Sequence, residues 1–179
     1  AGGTNLIYSY ENAKSANNYG VELDIRKSLD FIGLSNFSLS LNGALIHSRV
    51  NFAKGSRNEN RPMQGQSPYL INAGLFYNNE HQQLVVSLLY NRIGKRIIGV
   101  GRSEGSSASE DNARVPDSYE MPRDVVDLSI SKKFGDHLEI KANIRDLLAQ
   151  SVSYKQFDDV TLKNGKSKEV KQITRQYKP

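Results

Sequence analysis

Between residues 121 and 148 (MPRDVVDLSISKKFGDHLEIKANIRDLL) apolar and polar side chains take turns with a period of two. Val126, Leu128 and Ile130, followed by Lys132 and Phe134, alternate with Asp127, Ser129, Ser131 and Lys133. After Gly135-Asp136-His137 the alternation resumes, with Leu138, Ile140, Ala142 and Ile144 against Glu139, Lys141, Asn143 and Arg145. Successive side chains of a strand point to opposite faces, so the pattern predicts a β-hairpin with one apolar and one polar face. Helical spacing from Val126 would put Ser129 beside Ile130 and mix the two classes.

The same unit recurs along the chain. Residues 4–10 (TNLIYSY) predict a first strand, and 12–18 (NAKSANN) read as polar turn material. In 19–29 (YGVELDIRKSL), Tyr19, Val21, Leu23 and Ile25 oppose Gly20, Glu22, Asp24 and Arg26. Lys27 and Lys132 fall on the apolar side just before short turns, where an aliphatic stem can lie along that face while the ammonium reaches water. Further strands are predicted at 37–47, 68–77 and 83–92, separated by a turn at 30–36, a polar loop at 52–67 and a turn at 78–82. Residues 97–122 carry the Gly, Ser, Asp and Pro content of a long loop. Beyond Gln150 the alternation weakens to a small hairpin around Asn164-Gly165 in 160–166, and 172–177 lead out.

Short connections therefore alternate with long ones. An up-and-down antiparallel sheet puts all the short turns at one end and all the long loops at the other, as outer-membrane barrels do. The fold class expected is all-β: an antiparallel meander of about seven to eight strands, part of a transmembrane β-barrel. Period two alone leaves the direction of the apolar face open, because a soluble sandwich or small barrel buries the same face inward. That alternative would be a binding module. Tyrosines near predicted strand ends (Tyr8, Tyr10, Tyr19, Tyr69, Tyr77, Tyr90) and a polar face rich in Ser, Asn and Gly suit the membrane arrangement.

Composition narrows the function classes. The 179 residues make one ordinary domain's length, and no run approaches the roughly 18 apolar residues of a spanning helix. A net charge of +5 is spread over strands and loops without a dense basic stripe, which speaks against nucleic acid as a partner. The absence of cysteine excludes disulfides, thiolate ligands and a Cys nucleophile. His47, His81 and His137 lack ligand spacing, so no metal and no cofactor are expected. Glu22 and Asp24 share a face with Arg26 and read as a charge ladder rather than an acid–base pair. Gly99-Val100-Gly101 has no strand-to-helix context for a phosphate loop, and no Ser/His/Asp set can be assembled. No catalytic residue is assigned, and the protein is not expected to be an enzyme.

Three segments, YGVELDIRKSL (19–29), NRPMQGQSPYLINAGLFYN (60–78) and PRDVVDLSISKKFGDHLEIKANIRDLL (122–148), resemble the closing part of TonB-dependent outer-membrane receptors of the Bacteroidetes type. The resemblance implies a 22-stranded barrel filled by an N-terminal plug, in the outer membrane of a Gram-negative cell. It implies uptake of a large or scarce solute (iron chelate, cobalamin or glycan), driven through TonB. Residues 1–179 would then be a single fragment holding roughly the last seven strands, with the plug domain and the final strand outside it. The partners implied are outer-membrane lipid and lipopolysaccharide, the solute, and TonB only through the N-terminal part. Candidate solute contacts are the residues at the long-loop ends of the strands: Arg61, Gln64, Gln66, Arg92, Arg96, Arg102 and Arg123. The competing role for these side chains is satisfying loop carbonyls and lipopolysaccharide phosphates.

Overall fold

The computed structural model describes residues 12–56, 58–103, 114–161 and 167–177, with side chains except at 102, 103, 114, 158–161, 167–174 and 176. The strand predicted at 4–10 and the Asn-Gly loop at 162–166 lie outside the described residues. The described residues form twelve strands in chain order: β1 (Ser15–Leu29), β2 (Leu34–Asn51), β3 (Tyr69–Asn79), β4 (Leu84–Ile93), β5 (Arg96–Gly99), β6 (Arg102–Ser103), β7 (Arg114–Val115), β8 (Ser118–Glu120), β9 (Asp124–Phe134), β10 (Leu138–Ile144), β11 (Val152–Thr161) and β12 (Ser167–Tyr177). They form sheets ordered β1-β2-β3-β4-β9-β10 and β12-β11-β8-β5, plus the pair β6-β7. Every pairing is antiparallel.

The registers join these pieces into seven long strands. Arg92 pairs with Asp124, and four residues further on Arg96 pairs with Glu120, so β5/β8 continues the β4/β9 ladder without an offset. One residue of slippage after Ile97 leads into β6/β7. A single hairpin thus runs from Leu84 to Ser103 and returns from Arg114 to Phe134. Each of its arms is about 66 Å long at roughly 3.3 Å per residue. β11 likewise continues β10 along the same neighbour, since Ile144 faces Leu128 and Tyr154 faces Glu120. The two extra residues are taken up in 145–151, where Asp146 (φ 53) and Ala149 (φ 46) adopt left-handed backbone conformations.

Three expectations are corrected. Residues 15–18 belong to β1 rather than to a turn, because Ser15 to Asn18 pair with Asn51 to Ser48; backbone pairing overrides their polar composition. The segment 97–122 is not simply a loop: it holds β5 to β8, which inherit the ladder of the strands they extend. The hairpin near residue 160 is larger than its Asn-Gly signal suggested, running from Val152–Tyr177 to Thr161–Ser167. The short turns stay short. The turn after β1 is one 3-10 turn, Asp30–Ile32, closed by Gly33 at φ 81, a conformation glycine adopts without steric cost.

Cross-strand pairing aligns the alternation over the whole sheet. One face carries Val21, Leu45, Tyr69 as one row, Ile25, Leu41, Ala73, Tyr90, Val126 as another, and Leu39, Leu75, Leu88, Leu128, Ile144 as a third. The other face carries Glu22, Asp24, Asn42, Asn72, Asn91, Ser129 and Asn143. The apolar face is uncovered: Val21 is 75% exposed, Leu45 69% and Leu23 60%. Among the described residues Ile97 is the one large apolar side chain that is fully buried. A water-soluble domain of this size closes a second layer over such a face. Among the described residues no such layer is present, and the first and last strands of the six-stranded sheet do not pair with each other.

Aromatic residues border the apolar rows at both ends. Phe37 and Tyr77 (ring centroids 4.9 Å apart), with Phe31 and Phe134, stand at the short-turn end. Tyr19 stacked on His47 (4.8 Å), with Tyr69 and Tyr90, stands at the long-loop end. On β3 the two belts are set by Tyr69 and Tyr77, roughly 26 Å apart along the strand and about 20 Å apart vertically once barrel tilt is included. That is the scale of the apolar band of an outer-membrane barrel, roughly 25 Å. Lys132, at the short-turn end, donates its ammonium to the Gln82 carbonyl of the neighbouring turn and lies 5.8 Å from the Phe134 ring centroid.

Candidate functional site

Across the polar face a chain of side-chain hydrogen bonds links four strands. Asn91 Nδ2 donates to Asn72 Oδ1 (2.6 Å), Asn72 Nδ2 to Asn42 Oδ1 (3.3 Å), and Asn42 Nδ2 to Glu22 Oε1 (2.9 Å). The amides sit directly opposite one another on β2, β3 and β4, so the register brings them together. Beside them Asp24 and Arg26 pair at 3.3 Å, which is the charge ladder expected there. A shallow concavity of about 260 Å³ opens over Gly74, where Phe76, Leu89 and Asp127 meet. Gly74 has no side chain because the Phe76 ring lies across it: a Cβ would come within 2.8 Å of that ring.

At the long-loop end the same strands carry charge. Arg92 meets Asp124 at 2.6 Å, and Tyr90 donates its hydroxyl to the same carboxylate oxygen at 2.7 Å. Arg92 Nε also donates to the Tyr69 hydroxyl (3.3 Å), and the Asp124 amide is held by Gln150 Oε1 (2.9 Å). Next to it, the turn after β10 is pinned from β9: Arg123 donates to Asp146 Oδ2 (2.7 Å), while Asp127 accepts the Asp146 amide (2.8 Å). These bonds hold Asp146 in its left-handed conformation, which a residue other than glycine adopts only when its surroundings enforce it.

Above this rim the long hairpin and β11–β12 form a second four-stranded surface. Arg96 donates Nε and Nη2 to Glu120 Oε2 (3.0 and 2.8 Å). Lys95 lies 4.6 Å from the Tyr119 ring centroid and 5.2 Å from that of Phe157, a cation between two aromatic faces. The loop between β2 and β3 docks onto β5, with the Gly65 amide on the Ile97 carbonyl and Gln64 Nε2 on the Ile98 carbonyl, both at 2.8 Å.

The seven residues singled out from sequence all fall at this end, and the six whose side chains are described are each engaged with different partners. Arg92, Arg96 and Arg123 are each paired with a carboxylate. Gln64 and Gln66 donate to backbone carbonyls. Arg61 bonds the Glu59 carbonyl and stacks 4.9 Å over Phe52. Arg102 lies in β6, opposite Val115. Sequence reasoning missed the asparagine row, whose members are 19 and 30 residues apart along the chain and meet only through register. It also missed the Tyr154, Arg175 and Tyr177 grouping, because the alternation weakens beyond Gln150 and predicts only a small hairpin at 160–166 there. Among the described residues no group of three or more His, Asp or Glu side chains is arranged to hold a metal.

A one-layer antiparallel sheet with an exposed apolar band, two aromatic belts and a hydrogen-bonded polar face is a segment of wall from a membrane β-barrel that is not closed on itself. The family described as TonB dependent receptor-like, beta-barrel matches residues 1–147, and the chain belongs to that family. Its members are outer-membrane receptors and transporters rather than enzymes. No curated protein and no solved structure matches the chain.

Proposed function

We propose that the seven long strands are consecutive staves of a 22-stranded receptor barrel of the Bacteroidetes type, in the outer membrane of a Gram-negative cell. The barrel takes up a large or scarce solute: an iron chelate, a cobalamin or a glycan. The observation that carries this reading is the uncovered apolar face, which water cannot cover and acyl chains can. The asparagine row then faces the lumen, and the tall hairpin stands on the outer side of the membrane. The solute passes by binding and gated release, with no bond made or broken, and coupling to TonB runs through other parts of the receptor. Arg61, Gln64, Gln66, Arg92, Arg96, Arg102 and Arg123 form the rim through which it enters, and some of their donors turn to it as loops rearrange. Lipopolysaccharide covers the lipid-side rim.

Single cysteines placed at Ser56, on the long-loop side, and at Asp136, on the short-turn side, test this in whole cells expressing the full-length receptor. Labelling by a membrane-impermeant maleimide at Ser56→Cys alone is expected. Labelling at Asp136→Cys alone, or recovery of the protein in the soluble fraction, would refute the orientation.

A further inference from the structure

A cleft of about 390 Å³ opens on the four-stranded surface outside the apolar band, bordered by β5, β8, β11 and β12. Tyr154 and Tyr177 form one corner of it, their ring centroids 5.8 Å apart and their planes at 71°. Arg175 sits directly opposite Tyr154 in the ladder and makes no ion pair among the described residues. The one carboxylate in the same row, Glu120, is already taken by Arg96. Gln156 donates its amide nitrogen to the Pro116 carbonyl (3.0 Å), which fixes the side chain and leaves its oxygen free to accept. Ser118 contributes a hydroxyl, and Ile98 of β5 adds an apolar residue to the lining.

From this grouping we infer that the cleft is a solute subsite for an acidic saccharide, a chain carrying hexuronate units. The inference rests on the receptor reading above and names the class of solute. Each part of a hexuronate has a counterpart. The unpaired guanidinium of Arg175 takes the carboxylate. The ring C–H face lies in the corner between the two tyrosines. Sugar hydroxyls donate to the amide oxygen of Gln156 and exchange hydrogen bonds with Ser118 and the phenol groups. A cleft of this volume falls within the roughly 300–1,000 Å³ range of ligand sites, and its position lets a chain enter from the medium. A neutral sugar would leave the Arg175 guanidinium uncompensated, and a small carboxylate without a ring would leave the aromatic corner empty.

The test uses the full-length receptor in detergent micelles, with calorimetric titration of tetragalacturonate, an alginate tetramer, maltotetraose and citrate. Intact folding is checked by resistance to SDS before heating, and location by outer-membrane fractionation. Binding of at least one uronate tetramer is expected, with maltotetraose and citrate at least tenfold weaker. Arg175→Ala and Tyr154→Ala should each weaken that binding by about tenfold to a hundredfold, and Tyr154→Phe should largely restore it because the ring face remains. Failure of both uronates to bind a folded, outer-membrane-located receptor would overturn the inference and leave the receptor reading standing. Binding indifferent to Arg175→Ala and Tyr154→Ala would overturn it as well, as would citrate or maltotetraose binding equally tightly. A receptor absent from the outer membrane would overturn both.

Discussion

Leu88 and Leu89 are neighbours on β4, identical in chemistry and almost equal in exposure, at 40% and 42%. They point to opposite faces. Leu88 lies in an apolar row between Leu75 and Leu128, midway between the aromatic belts, whereas Leu89 lies between Gly74 and Asp127 on the polar face. Replacing each in turn by arginine therefore isolates what covers each face. If acyl chains cover the apolar face, Leu88→Arg puts a guanidinium near the bilayer midplane at a cost of about 2–4 kcal/mol. That is roughly thirtyfold to several-hundredfold in the folding equilibrium. Leu89→Arg instead puts the guanidinium beside the Asp127 carboxylate in a wet interior, where an exposed ion pair contributes about 0–1 kcal/mol. The two variants should differ by at least about 2 kcal/mol when the full-length receptor is refolded into phospholipid vesicles and titrated with urea. Folded barrel is scored by its resistance to SDS. Equal costs, or a larger cost for Leu89→Arg, would refute the assignment of faces.

Three further outcomes follow from the geometry. A Cβ at Gly20 would come within 2.4 Å of the Leu45 carbonyl oxygen, whereas one at Gly43 would have 3.9 Å of clearance. Gly20→Val is therefore expected to cost about 1–3 kcal/mol and to speed hydrogen exchange along β1, while Gly43→Ala leaves both unchanged. Asn72→Leu removes the central link of the amide chain and should cost about 1–3 kcal/mol for its two bonds. Combined with Asn91→Leu, it should cost less than the sum of the two, read by a double-mutant cycle in urea. Asp124→Ala strips the acceptor shared by Arg92 and Tyr90, so it should lower the urea midpoint more than Asp124→Asn, which keeps an acceptor oxygen.

The sheet was legible in the sequence wherever two faces differ in polarity. Val126 to Phe134 and Leu138 to Ile144 alternate so strictly that element, face and turn could all be assigned, and the ladder agrees residue for residue. It was illegible where pairing, rather than burial, makes the strand. β5 to β8 and β11 to β12 stand outside the apolar band, so neither face is under pressure to be apolar, and period two fades. Ser15 to Asn18 joined β1 for the same reason, because Asn51 to Ser48 extended beside them. The functional residues follow that division. Arginines at strand ends can be picked out from sequence, but their carboxylate partners lie 23 to 32 residues away, so whether each charge is spent internally depends on register.

The amide row also bears on how such a wall is assembled. A slide of two residues between neighbouring strands would leave every greasy side chain still pointing outward, since leucine, isoleucine and valine replace one another there with little loss. The amides are not so forgiving. Moving β3 by two positions would set Leu70 or Gly74 opposite Asn42 and silence the relay to Glu22. Among the alignments that hydrophobicity alone would accept, three asparagines and one glutamate distinguish the one in which all their bonds close.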